Sequence, residues 1–317
     1  MRLVAMTLMM VLTMAGIARG EPVACQRAIA KASLAFTAAT AKAFAACEQD
    51  KRLAKLPPTV DCTVHGPTAA VVAAAEGKLR AAIPKACGGK NKSCDPADGG
   101  ADADEALAAI GWDAGACPNL DSGSCTNAID DCDGIATCLT CLGRAAVGQT
   151  STLANAAFTT STPGDAANRC QLAIGRETAK YLTARAKALQ KCRDLVFRGK
   201  IAGPCPAGDS KTLAALAKAE ATKVAKLCNA CGGADGACGG GDDLTPTALG
   251  FSSLCPDVTP LGTGSCGGPI ASLEDLITCV DCVAAFDTDC LDAAAVPGLV
   301  GYPASCAPAP TPTVTPT

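Results

Sequence analysis

The sequence contains a single histidine, His65, and only 3% aromatic residues: one Trp, two Tyr and six Phe in 317 positions. One imidazole excludes, within one chain, any zinc site that needs two or more. It also means that any Ser/His/Asp or Cys/His triad must be built on His65, which sits beside Gly66 and Pro67 and reads as an exposed loop residue. Without interleaved aromatic rings the Lys and Arg residues offer no platform for stacking bases, so no nucleic acid is expected as a partner. No glycine-rich phosphate or dinucleotide fingerprint follows a predicted strand, and nothing in the residues calls for a cofactor. Long apolar runs are also missing. The longest, residues 3–18, is short of the about 20 residues of a membrane span. It follows Arg2 and ends in Ala18-Arg19-Gly20, with small residues at −3 and −1. This is the pattern of a secretory signal over residues 1–20, and no transmembrane segment is expected once it is removed.

Alanine and cysteine are abundant, at 66 and 22 residues. Alanine buries little area, so an alanine-rich core is weak for its length. Disulfides add about 2–4 kcal/mol each, and export makes them the default reading of the cysteines, ahead of all-cysteine zinc sites.

The cysteines fall in a repeated order. Cys25-Gln26-Arg27-Ala28-Ile29 matches Cys170-Gln171-Leu172-Ala173-Ile174, and the next cysteine follows 22 residues later in both cases, at Cys47 and Cys192. Cys62 matches Cys205, and Cys87-Gly88-Gly89 matches Cys231-Gly232-Gly233, with Cys94 and Cys238 seven residues on. Ile110-Gly111-Trp112 matches Leu249-Gly250-Phe251 before Cys117 and Cys255. Gly123-Ser124-Cys125 matches Gly264-Ser265-Cys266, and a C-x-x-C closes each series at Cys138/Cys141 and Cys279/Cys282. Nine cysteines shared in order read as a duplication. The expected organisation is a signal at 1–20, module 1 at 21–150, a linker at 151–169, module 2 at 170–306 and a Pro/Thr-rich tail at 307–317.

With these landmarks the chain resembles exported, cysteine-rich, tandem-module proteins of uncultured bacteria, which share the CQ-x-AI, KACGG and C-x-x-C stretches and Pro/Thr-rich tails. The resemblance spans nearly all of residues 21–317. No established activity comes with it, so it implies no catalytic residue.

Helical periodicity opens each module. Ile29, Leu34, Phe36, Phe44 and Cys47, then Val71, Val72, Leu79 and Ile83, recur at helical spacing in the first. Cys170, Ile174, Tyr181, Leu189 and Cys192, then Leu213, Leu216, Val224, Leu227 and Cys231, do so in the second. Twenty-two helical residues span about 33 Å, whereas a disulfide needs Cα atoms within about 7 Å. Cys25 therefore cannot reach Cys47. An antiparallel hairpin instead predicts Cys47–Cys62 and Cys25–Cys87, and likewise Cys192–Cys205 and Cys170–Cys231. That also argues against lipid attachment at Cys25, which Val23-Ala24-Cys25 faintly suggests. The expected fold is mainly α: two tandem disulfide-stapled modules, each an antiparallel helical hairpin followed by a loop-rich cysteine lobe with a C-x-x-C helix.

Charge follows the same division. Residues 25–93 hold 11 Lys/Arg against 4 Asp/Glu, 94–168 hold 1 against 11, 170–231 hold 12 against 4, and 232–317 hold none against 10. Either basic helices and acidic loops merely solubilise themselves, or a basic hairpin docks on an acidic lobe, within a chain or between chains. Two features carry possible chemistry. The C-x-x-C pairs are expected late in a helix, where the negative end would raise a thiol pKa. The acidic stretches, residues 95–105 and Asp130-Asp131-Cys132-Asp133, offer oxygen ligands to calcium but lack EF-hand spacing. The expected function is a non-enzymatic secreted or cell-surface structural or binding protein, its partner a charged envelope component or a second copy. The alternative is a secreted thiol–disulfide or calcium-binding protein.

Overall fold

A computed structural model describes residues 21–95, 97–120, 124–155, 162–262 and 264–307. The expected signal at 1–20 and the expected tail from 308 onward lie outside the described residues. The protein is mainly helical: α1 (Glu21–Arg52), α2 (Gly66–Cys87), α3 (Leu107–Ile110), α4 (Cys132–Ala154), α5 (Ala166–Phe197), α6 (Ser210–Cys231) and α7 (Leu273–Ala295), with one two-residue antiparallel pair, β1 (Leu254–Cys255) and β2 (Gly268–Pro269). The two halves match in length. α1 and α5 have 32 residues each, α2 and α6 have 22, and α4 and α7 have 23.

Alanine-rich stretches favour helix at every step, and the helix starts carry oxygen caps. Asp131, Asp165 and Asp209 accept from the first-turn N–H groups of α4, α5 and α6, while Ser272 and Asp275 form a reciprocal capping box on α7. Pro84 sits within the last turn of α2, where its carbonyl accepts from Gly88 N–H at 2.8 Å.

α1/α2 and α5/α6 are the two antiparallel hairpins. α1 and α5 lie against each other at the centre, and α4 and α7 pack together and on the hairpins. The buried residues of both halves form one cluster, from Ile29, Phe36 and Leu79 through Trp112 and Leu139 to Ile174, Val283 and Phe286. α4 runs on to Ala154, so the connecting segment is helical at its start. Close backbone contacts help to join the halves: a Cβ on Gly111, which adopts φ +74°, would lie 2.4 Å from Gly298 Cα. Within the first half, Gly143 of α4 lets the Phe36 ring of α1 approach so closely that a Cβ there would meet it at 2.9 Å.

Two helical positions read from periodicity as core are on the surface. Val71 is 51% exposed and Leu213 is 46% exposed. Each lies on the outer face of its hairpin, where no further helix packs.

Candidate functional site

The cysteines come first, because their state decides what chemistry is open. All 22 are bonded, in 11 bridges, and no bridge crosses from one half to the other. The structure joins Cys25 to Cys87 (Cα separation 4.9 Å) and Cys170 to Cys231 (4.8 Å) at the open ends of the hairpins. Cys47 is joined to Cys62 (5.8 Å) and Cys192 to Cys205 (5.9 Å) at the loop ends. The C-x-x-C cysteines do not pair with each other. Cys138 and Cys141 hold Cys117 and Cys125, and Cys279 and Cys282 hold Cys255 and Cys266. Two helical thiols three residues apart face one side, and here they staple two points of one loop.

The expected placement of these pairs late in a helix is corrected. α4 starts at Cys132 and α7 at Leu273, so both pairs fall in the second and third turns. The physical reason is the length of the helices, which continue well past each C-x-x-C, to Ala154 and Ala295.

Nine cysteines share an order, but only eight share partners. Cys94 bonds Cys132 at the start of α4, whereas its counterpart Cys238 bonds Cys228 in α6. Leu273 stands where Cys132 would be in the second half, and Pro84 where Cys228 would be in the first.

The repeated CQ-x-AI landmark also has a structural role. Gln26 Nε2 donates to the Ile110 carbonyl at 3.2 Å, and Gln171 Nε2 to the Leu249 carbonyl at 2.8 Å. In both halves the residue beside the hairpin bridge thus anchors the tight turn that begins the cysteine lobe. Gln171 also accepts from the buried Arg52 guanidinium at 2.6 Å, and Asn168 Nδ2 donates to the Arg52 carbonyl at 2.9 Å, so this anchor links the halves. Position 26 has no such second bond.

The acidic stretches converge. Asp104 is flanked by Asp95, Asp98 and Asp131; burial and then these like charges push its carboxyl above the ordinary range, against one backbone N–H bond from Asp95. Its carboxylate lies within 4.8 Å of the Cys94 and Cys132 sulfurs, the only such group of metal-type ligands among the described residues. Those sulfurs are bonded to each other and offer no thiolate. In the second half Asp242 and Asp243 accept from backbone N–H groups of Ala234 and Gly239, at 2.7 and 2.8 Å, and serve the loop itself. His65 is half-buried rather than exposed: it occupies the N-cap position of α2 without a side-chain bond to the helix backbone, and its Nδ1 lies 3.1 Å from Thr68 Oγ1.

The charge blocks meet inside the molecule. Arg185 and Arg193 of α5 pair with Asp289 and Asp292 of α7, each at 2.7 Å, and Lys223 of α6 pairs with Asp281 of α7. Arg27 of the first hairpin reaches Asp194 of the second at 2.6 Å. The lone cation of residues 94–168, Arg144, turns back to Glu76 of α2 at 2.6 Å. Lys223 is nearly sealed, with 1% of its side chain exposed and its Nζ 4.9 Å from the centre of the Tyr181 ring. Burial draws the Lys223 ammonium below its ordinary value and pushes the Asp281 carboxyl above its own, while each opposes the shift in the other. Burial also pushes the Tyr181 hydroxyl up to about 12.

The outer faces of the two hairpins differ. Between α1 and α2 runs an open groove of about 580 Å³ with Ala32, Ala75 and Leu79 in its floor, Ala35, Ala74 and Val71 on its walls, and Lys31 and Lys78 at its edge. The equivalent groove between α5 and α6 measures about 320 Å³ and is lined by Glu177, Lys180, Tyr181, Lys218 and Lys223. Sequence reasoning missed this contrast, although comparing the two modules position by position contains it.

Compared with protein-family models, with curated proteins and with solved structures, the chain shows no match. Among the described residues no helix is long and apolar enough to cross a membrane.

Proposed function

We propose that this is an exported, non-enzymatic binding protein of the bacterial surface, built from two copies of one module. The observation that carries the reading is the complete use of its cysteines: all 22 are in bridges, each closed within its own half. Such bridges suit an oxidising compartment. They hold a thinly packed alanine-rich fold together and leave no thiol for exchange. Pairing within the molecule occupies Arg176, Lys180, Arg185, Arg193, Arg198 and Lys223 of the second hairpin, and in this reading the apolar groove of the first is the outward surface offered to a partner.

The test is a thiol count on native protein, combined with an assay for catalysed reduction of a dithiol-sensitive substrate. The expected results are no free thiol and no catalysis. A free or readily cycling C-x-x-C pair would replace this reading with the thiol–disulfide alternative. Calcium titration by calorimetry is expected to show no saturable heat; a stoichiometric heat abolished by Asp104→Asn would replace it with the calcium alternative.

A further inference from the structure

The two hairpins are each other's control. Matching positions through the shared cysteines, Ala32, Ala35, Ala74, Leu79 and Ala82 of the first hairpin stand where the second has Glu177, Lys180, Lys218, Lys223 and Lys226. The second hairpin shows how this helix pair meets water and its own α7 with charge. The first has no charge at any of the five positions and has an open apolar channel there, with Val71 51% exposed on its wall.

Helix geometry sets the dimensions of that channel. From Ala28 to Ala39 it follows 11 residues of α1, about 16 Å, and its volume of about 580 Å³ falls within the range of small-molecule sites. α2 runs antiparallel, so Lys31 and Lys78 lie about one helical turn apart along the groove, with Ala28 and Ala82 beyond them toward the bridged Cys25–Cys87 end and Val71 beside Ala39 at the other. Among the described residues neither lysine is ion-paired. The nearest acid on α2, Glu76, is taken by Arg80 at 2.9 Å and Arg144 at 2.6 Å. The groove thus carries a cationic edge at Lys31 and Lys78, and the rest of its lining is apolar.

We infer that the α1–α2 groove binds a single-chain anionic amphiphile of the fatty-acid type, with its carboxylate between Lys31 and Lys78 and its alkyl chain along Ala32, Ala35, Ala75 and Leu79 toward Val71. The inference deepens the binding-protein reading and rests on it. The charge complementarity selects an anion. The short, alanine-lined groove selects one chain rather than a two-chain lipid in a bilayer.

The test titrates the full mature protein with monomeric dodecanoate, followed by calorimetry and by the chemical shifts of Ala, Val and Leu methyl groups. The expected result is one saturable site, with shifts centred on Ala35, Val71 and Leu79. Ala35→Lys with Ala74→Lys, the residues that the second hairpin already carries there, should keep helix content and lower affinity at least tenfold. Lys31→Gln with Lys78→Gln should lower it about tenfold and remove the preference for dodecanoate over dodecanol. Equal binding of dodecylamine, binding only to anionic vesicles, or no saturable site would overturn the inference. A thiol count on the same sample separates the two levels. No binding with no free thiol defeats the amphiphile and leaves the scaffold reading standing, whereas free thiols defeat that reading whatever the groove binds.

Discussion

The two hairpins have the same helix lengths and the same bridges at both ends, yet they solve the problem beneath those bridges differently. In the first, Phe36, Leu79 and Thr140 are buried on α1, α2 and α4, which pack on one another. At the matching positions of the second stand Tyr181, Lys223 and Asp281. One half buries hydrocarbon; the other buries an ion pair against a tyrosine ring. The comparison teaches that the disulfide frame tolerates either interior. What the frame specifies is where helices lie, and what the interior decides is whether the outer groove is left apolar or is bordered by charge.

The sharpest way to break the comparison is Asp281→Ala. It leaves Lys223 buried without its carboxylate and should cost about 3–5 kcal/mol, read from urea or thermal unfolding. Thr140→Ala, the matching change in the first half, loses one bond to the Thr137 carbonyl and should cost about 1 kcal/mol. Similar costs at the two sites would mean that the ion pair does not distinguish the halves. Lys223→Leu with Asp281→Thr installs the first half's residues and should be neutral or stabilising by up to about 4 kcal/mol.

Removing the open-end bridges should show where the halves agree. Cys25–Cys87 and Cys170–Cys231 close loops of nearly equal length, with sequence separations of 62 and 61. Loss of either by paired Ser substitution should therefore cost alike, up to about 4 kcal/mol. A large inequality in unfolding midpoints would place the difference in the native cores.

The glutamine anchors should again separate the halves. Gln171→Ala removes a buried donor from Leu249 and an acceptor from Arg52, so a loss of about 2–4 kcal/mol is expected. Gln26→Ala removes one longer, part-buried bond and should cost about 1 kcal/mol. If the ranking reverses, Gln171 does not link the halves energetically.

Charge reversal separates docking from solubility within one helix. Arg185→Glu opposes Asp289 in a mostly buried pair and should destabilise by several kcal/mol, whereas Lys187→Glu and Lys191→Glu, both exposed, should stay within about 0.5 kcal/mol.

A small effect that depends on pH is expected at Glu76. Burial would raise its carboxyl, but hydrogen bonds from Arg144 and Arg80 outweigh that and hold it below the ordinary range. A folded value below the unfolded one, about 4.3, stabilises the fold above that pH, and the gain is lost as pH falls through the folded value. Glu76→Gln should therefore cost about 0.5–1 kcal/mol at neutral pH and nothing in strong acid. A cost that persists in acid would mean packing, not charge, is at work.

Much of this architecture was legible in one dimension because its signals are local or periodic. Alanine-rich amphipathic stretches mark the long helices, and the rise of a helix forbids Cys25–Cys47 while permitting bridges across a hairpin. Less was legible of the candidate site. Val71 obeys helical periodicity and still faces outward, because periodicity locates a face without saying whether a third helix covers it. The partner of Cys94 was equally hidden: spacing aligns it with Cys238, but whether the start of α4 or the end of α6 lies within reach depends on how the lobe folds back.

The sequence by itself determined the helical hairpins, the bridges at their ends and the sorting of charge into basic and acidic segments. All of these follow from spacing along one chain and from the fixed geometry of a helix. Only the tertiary structure decided which acids meet which bases, that both halves share one core through Arg52, Asn168 and Gln171, and that the face between α1 and α2 stays open as a groove. Those outcomes depend on contacts between residues far apart in the chain, up to 167 positions for Arg27 and Asp194, and burial and pairing at such distances are properties of packed surfaces rather than of any local pattern.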